Sequence, residues 1–201
     1  AVNIAAELKK SREIVTVADL DIVNPYFRTK DSAAYFEEQG IRLICSAYAN
    51  SNVDIPALPQ EMYALTDDRS MTAVLDIGGD DRGALVLGRL APKILAENDY
   101  EMLMVINCYR PLTRDAASTL EVMAEIEYAG GIRFTGLVNN SNLGAAIAVE
   151  DILASRDYAE EVARLSGLPI VMTSVRQDLY AEVVGKVPNA FPLGLQKNKY
   201  L

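Results

Sequence analysis

Histidine is absent from the 201 residues, and with it the side chain that most often serves as general base or zinc ligand at neutral pH. Ser–His–Asp and Cys–His hydrolysis are thereby excluded, as are most zinc sites. Cysteine is scarce: Cys45 and Cys108 are the two in the chain. They are too few for a disulfide framework, and both fall in or beside predicted strands, so they read as reduced core thiols of a cytosolic protein. Runs of basic residues are missing, and the net charge is −9. General binding of nucleic acid or of an anionic membrane needs clustered Lys and Arg to release counterions, so neither is expected. No apolar segment approaches the ~20 residues of a membrane helix. Residues 1–10 carry their charges after their apolar part, unlike a secretory leader, which leaves the cytoplasm as the expected location. Internal repeats, low-complexity tracts and linkers are also missing.

What is present is an apolar half of the composition, 50%, enough for a sizeable core. The length suits one α/β domain. Short β-branched runs alternate with helical patterns, the signature of a parallel sheet wrapped by helices. Ala1, Ile4, Ala5 and Leu8 recur at helical spacing, so the chain opens on an amphipathic helix. Strands are expected at 14–18, 41–45, 72–77, 101–107, 132–138 and 170–174. Helices are expected at 32–39, ending on Gly40, at 83–95 with a disturbance at Pro92, at 113–128 capped by Thr113, at 149–166 and at 178–184. Residues 46–60 read as loop, with Pro59 starting a short helix. The run "EMLMVIN" reads as a strand buried on both faces. The core spans about 1–184, and 185–201 reads as an irregular tail.

Ligands of open parallel sheets bind beyond the carboxyl ends of the strands, and four of those ends are polar here. "VADLDIVNP" presents Asp19 and Asp21, which share a face if extended geometry persists. Such a pair suits a hard cation such as Mg²⁺ and the orientation of an attacking water, or else one carboxylate caps a turn and the other is solvated. "TAVLDIGGDDRGA" ends an apolar strand in Asp76 and follows it with Gly78 and Gly79. This is a Walker B arrangement, with the glycines letting backbone approach a phosphate, or else an acidic glycine turn. As a dinucleotide fingerprint it fails, because Asp80 stands where a glycine is needed. "GLVNNSNLG" places Asn139 where an amide reads a purine edge or makes ordinary turn contacts. Arg110, in "VINCYRP", is positioned for a phosphate, an acidic partner or solvent.

In this order and spacing the four stretches resemble the deviant-Walker P-loop ATPases of the MinD/ParA/nitrogenase iron-protein superfamily. More narrowly, "DLDIVNPYFR" is similar to a branch of bacterial ATP-binding proteins. The resemblance covers residue 1 to about residue 184. It implies a P-loop NTPase-like fold, a mostly parallel sheet with helices on both faces, with ATP and Mg²⁺ as ligands. By that resemblance Asp21 positions the attacking water, and Asp19 lies nearer the metal and its waters. Asp76 matches the Walker B aspartate, Gly78 and Gly79 the switch II turn, and Asn139 the base-contacting asparagine. A homodimer sandwiching nucleotide and an unidentified partner protein are likewise implied.

One departure is large. The superfamily's first strand and its glycine-rich phosphate loop precede the first helix, and no G-x-x-x-x-G-K-[ST] occurs in this sequence. Gly185-Lys186 is followed by Val187. The expectation is that a central strand and a phosphate loop precede Ala1, so that the Asp19/Asp21 loop faces phosphates and a metal held by other residues. Two functions follow. One is a Mg-ATP switch enzyme that hydrolyses ATP to regulate a partner. The alternative is an inactive scaffold of the same fold, docking a partner through the acidic pair and Tyr26, Phe27 and Arg28, whose aromatics read equally well as packing. A flavodoxin-like or nicotinamide-binding domain is disfavoured by the missing fingerprint.

Overall fold

The computed structural model describes residues 1–21, 29–45 and 60–195; Tyr26, Phe27, Arg28 and the expected loop at 46–59 lie outside them. The protein is α/β with two all-parallel sheets, and it divides into two compact units. The first comprises Ala1–Asp99 and Ala129–Gly131, the second Tyr100–Tyr128 and Ile132–Lys197.

In the first unit α1 (Val2–Lys9) leads to β1 (Val15–Asp19), α2 (Ala33–Glu38) to β2 (Arg42–Cys45), and α3 (Gln60–Asp67) to β3 (Thr72–Asp76), followed by α4 (Asp81–Gly88) and α5 (Ala91–Glu97). The sheet order is β2-β1-β3. Alternation along each strand sends successive side chains to opposite faces. Val15 and Val17 pack with Leu43 and Val74 against Ala5 of α1 and Phe36 of α2. Ala18, Ile44 and Leu75 pack on the other face against Met62 and Leu65 of α3 and Val86 of α4. Helices therefore cover this sheet on both faces, and every residue of β1 is buried. The helix expected at 83–95 is two helices, because Pro92 sits in the first turn of α5, where its missing N–H is no loss.

In the second unit β4 (Leu103–Ile106), α6 (Ala116–Gly130), β5 (Gly136–Asn139), α7 (Val149–Ser166), β6 (Ile170–Arg176), α8 (Tyr180–Val183) and β7 (Ala190–Leu193) follow in order, and the sheet runs β4-β5-β6-β7. Ile152 of α7 and Val183 of α8 pack with Val175 of β6 in one buried cluster. Gly167 ends α7 at φ 73, a left-handed backbone that glycine adopts without penalty.

Three expectations change here. The tail is not wholly irregular: Ala190–Leu193 pairs with β6, Ala190 opposite Thr173. Pro192 fits because this is an edge strand, where a missing N–H breaks no ladder. "EMLMVIN" is not buried on both faces, since Val105 is 56% exposed and Leu103, on the same face, is half-buried. The cap of α6 is Asp115 rather than Thr113: its Oδ1 accepts from the Ser118 backbone N–H at 2.9 Å, while the Thr113 hydroxyl donates to the Asn107 carbonyl at 2.8 Å.

Candidate functional site

The carboxyl ends of β1 and β3 bring acidic side chains together in the first unit. Asp19 and Asp76 are register partners on adjacent parallel strands, about 4.8 Å apart along the hydrogen-bonding direction. Both continue the alternation of Val17 and Val74, so both leave the sheet on the face covered by α1 and α2. Asp19 is 2% exposed, and Asp76 is half-buried. Extended geometry stops at Asp19: the Asp21 N–H turns back to donate to Asp19 Oδ1 at 3.2 Å, the Asx turn that aspartate favours after a strand. The Leu20 N–H donates to the Asp76 carbonyl at 2.8 Å and ties the two strand ends together.

Thr29, which carries no signal in the sequence, joins this group. It is 3% exposed, opens the short 3-10 turn Thr29–Ser32, and donates its hydroxyl to Asp76 Oδ2. The turn after β3 is built by close backbone packing. A Cβ on Gly78 would stand 3.3 Å from Asp21 Oδ1, and a Cβ on Gly83 only 2.6 Å from the Gly78 Cα. Gly79 is exposed, with nothing within 4 Å of such a Cβ. Asp80 then caps α4, accepting from the Gly83 N–H at 2.7 Å. In the sequence Asp80 reads only as the residue that breaks a dinucleotide fingerprint, and Gly83 only as part of a helix.

Among the described residues no group of three His, Cys, Asp or Glu side chains is close enough to hold a metal ion. The described residues therefore supply no all-protein cage for calcium or zinc. Two neighbouring carboxylates do fit magnesium, which keeps most of its waters and takes one or two carboxylates together with substrate phosphates.

The other two predicted site residues lie in the second unit. Asn139 ends β5 with its amide turned inward and 2% exposed. Its Nδ2 donates to Ser155 Oγ of α7 at 3.0 Å, and its Oδ1 accepts from the Ser141 N–H at 3.1 Å. Asn140, the next residue, accepts from Ser174 Oγ of β6 at 2.5 Å. Arg110 is exposed and, among the described residues, forms no ion pair. Close by, Tyr109 donates its hydroxyl to the Asp151 carbonyl at 2.8 Å. The Cys108 N–H donates to Ser141 Oγ at 3.1 Å. Partial burial raises the Tyr158 phenol above its ordinary value, and its hydroxyl lies 2.8 Å from that of Thr119.

These features define an α/β protein of parallel sheets whose polar strand ends carry paired carboxylates in one unit and a buried amide–hydroxyl network in the other. No protein-family profile, curated protein or solved structure matches the chain. No helix among the described residues is long and apolar enough to cross a membrane.

Proposed function

We propose that the protein is a Mg-ATP-dependent switch of the P-loop NTPase type, resembling the MinD/ParA group, that hydrolyses ATP to regulate a partner protein. The observation that carries this reading is the pair Asp19 and Asp76, in register at the carboxyl ends of adjacent parallel strands, with Asp21 beside the Gly78 turn.

In this reading Asp19 and Asp76 hold magnesium through its waters, and the metal supplies charge neutralisation to the phosphates. Asp21 orients the attacking water and needs no strong base, because phosphoryl transfer is driven by positioning and electrostatics. Gly78 gives the turn its close backbone, Gly79 lies open beside it, and Asp80 sets the start of α4 behind it.

The test is made on the natural full-length protein by equilibrium ATP binding and phosphate release. Asp21→Asn is expected to lower turnover by about 100-fold or more, with ATP affinity within about threefold. Unchanged turnover removes Asp21 from its role. Absence of ATP binding by the wild type leaves the scaffold reading in its place.

A further inference from the structure

We infer that Thr29 is a positioning residue for Asp76 and relays the state of that carboxylate to α2. The inference rests on the nucleotide reading only for what accompanies the cation. Thr29 lies 47 residues from Asp76 in sequence, yet its buried hydroxyl donates to Asp76 Oδ2. A hydroxyl has one proton to donate, and within the described structure that proton goes to Asp76. The acceptor is a carboxylate oxygen, the partner type that makes the stronger hydrogen bonds. It fixes one oxygen of the carboxylate that is in register with Asp19.

On its other side Thr29 is continuous with α2. The 3-10 turn Thr29–Ser32 runs directly into Ala33–Glu38. Phe36 then anchors that helix in the cluster with Ala5, Val15 and Val17, and its carbonyl accepts from the Ile41 N–H at 2.8 Å, at the entry to β2. A cation whose coordinated waters donate to Asp76 competes for the oxygen that Thr29 now occupies. When it binds, the Thr29 hydroxyl loses or shares its acceptor, and the first turn leading into α2 is released from the strand end. Filling the carboxylate pair is thereby read out about one helix away.

The experiment follows amide hydrogen exchange of Ala33–Glu38 in the full-length protein. Wild type, Thr29→Val, Asp76→Ala, the double variant and Thr29→Ser are compared, alone and with Mg-ATP. Without ligand, Thr29→Val and Asp76→Ala are each expected to exchange about tenfold faster, the scale of one hydrogen bond to a charged group. The double variant is expected to be no faster than the faster single variant, and Thr29→Ser to behave as wild type. Additive effects overturn the link. With Mg-ATP, α2 exchange is expected to rise in wild type and Thr29→Ser but not in Thr29→Val. An equal change in Thr29→Val, or no change in a wild type that binds Mg-ATP, overturns the relay. If the wild type binds no Mg-ATP, the nucleotide reading fails and millimolar Mg²⁺ alone decides the relay. A response to Mg²⁺ that Thr29→Val lacks keeps it, and no response ends it.

Discussion

Thr16 sits in the middle of β1, 0% exposed, and its Oγ1 meets no hydrogen-bond partner among the described residues. A buried hydroxyl left unpaired loses its hydration and regains nothing. Thr16→Val keeps the β-branched shape that suits a strand and removes that loss. It is expected to raise stability by about 1 kcal/mol, seen as a higher urea midpoint with an unchanged slope; a lower midpoint would mean that the hydroxyl has a partner in solution. Gly83 and Gly79 make a second comparison at this scale. A methyl on Gly83 would lie 2.6 Å from the Gly78 Cα and 2.8 Å from its carbonyl oxygen, with no flexible neighbour to yield. Gly83→Ala is expected to destabilise by about 1–3 kcal/mol. Gly79→Ala, into open space at an ordinary φ, is expected to stay within about 0.5 kcal/mol. Equal effects in urea unfolding would refute the packing account of this turn.

At the scale of elements, helix ends show how local chemistry shapes the fold. Asp115 starts α6, accepting from both the N–H and the hydroxyl of Ser118, at 2.9 and 2.5 Å. The Ser118 hydroxyl, then its N–H, holds this carboxyl below its ordinary value. Because the folded state lowers the pKa, the cap's stabilisation is complete above the unfolded value and lost as pH falls through the folded one. Asp115→Asn caps without titrating. The stability lead of wild type over this variant is therefore expected to shrink below about pH 4, and a lead independent of pH in urea titrations would rule the cap out. Boundaries set by local signals were legible: Gly40 and Gly167 end α2 and α7 at φ 63 and 73, as their place after helical periods predicts. The strand at Ala190–Leu193 was not, because an edge strand of four residues containing a proline has no strong period and is held by its pairing to β6.

For the whole molecule, the parallel α/β character, the strand-end carboxylates and the polar β5 end were all readable from alternation and composition. The chain by itself determined most helix and strand segments, β7 excepted, and it placed Asp19, Asp76 and Asn139 at strand ends, since those features follow from periods of two and 3.6 residues and from nearby caps. Tertiary structure decided the rest. It divided the strands between two sheets, set Asp19 opposite Asp76, turned the Asn139 amide inward onto Ser155, pressed Gly83 against Gly78 and brought Thr29 to Asp76. The physical reason is common to all five: each depends on register and close packing between residues distant in sequence or on different elements, and a local pattern constrains which face a side chain takes, not which neighbour it meets there.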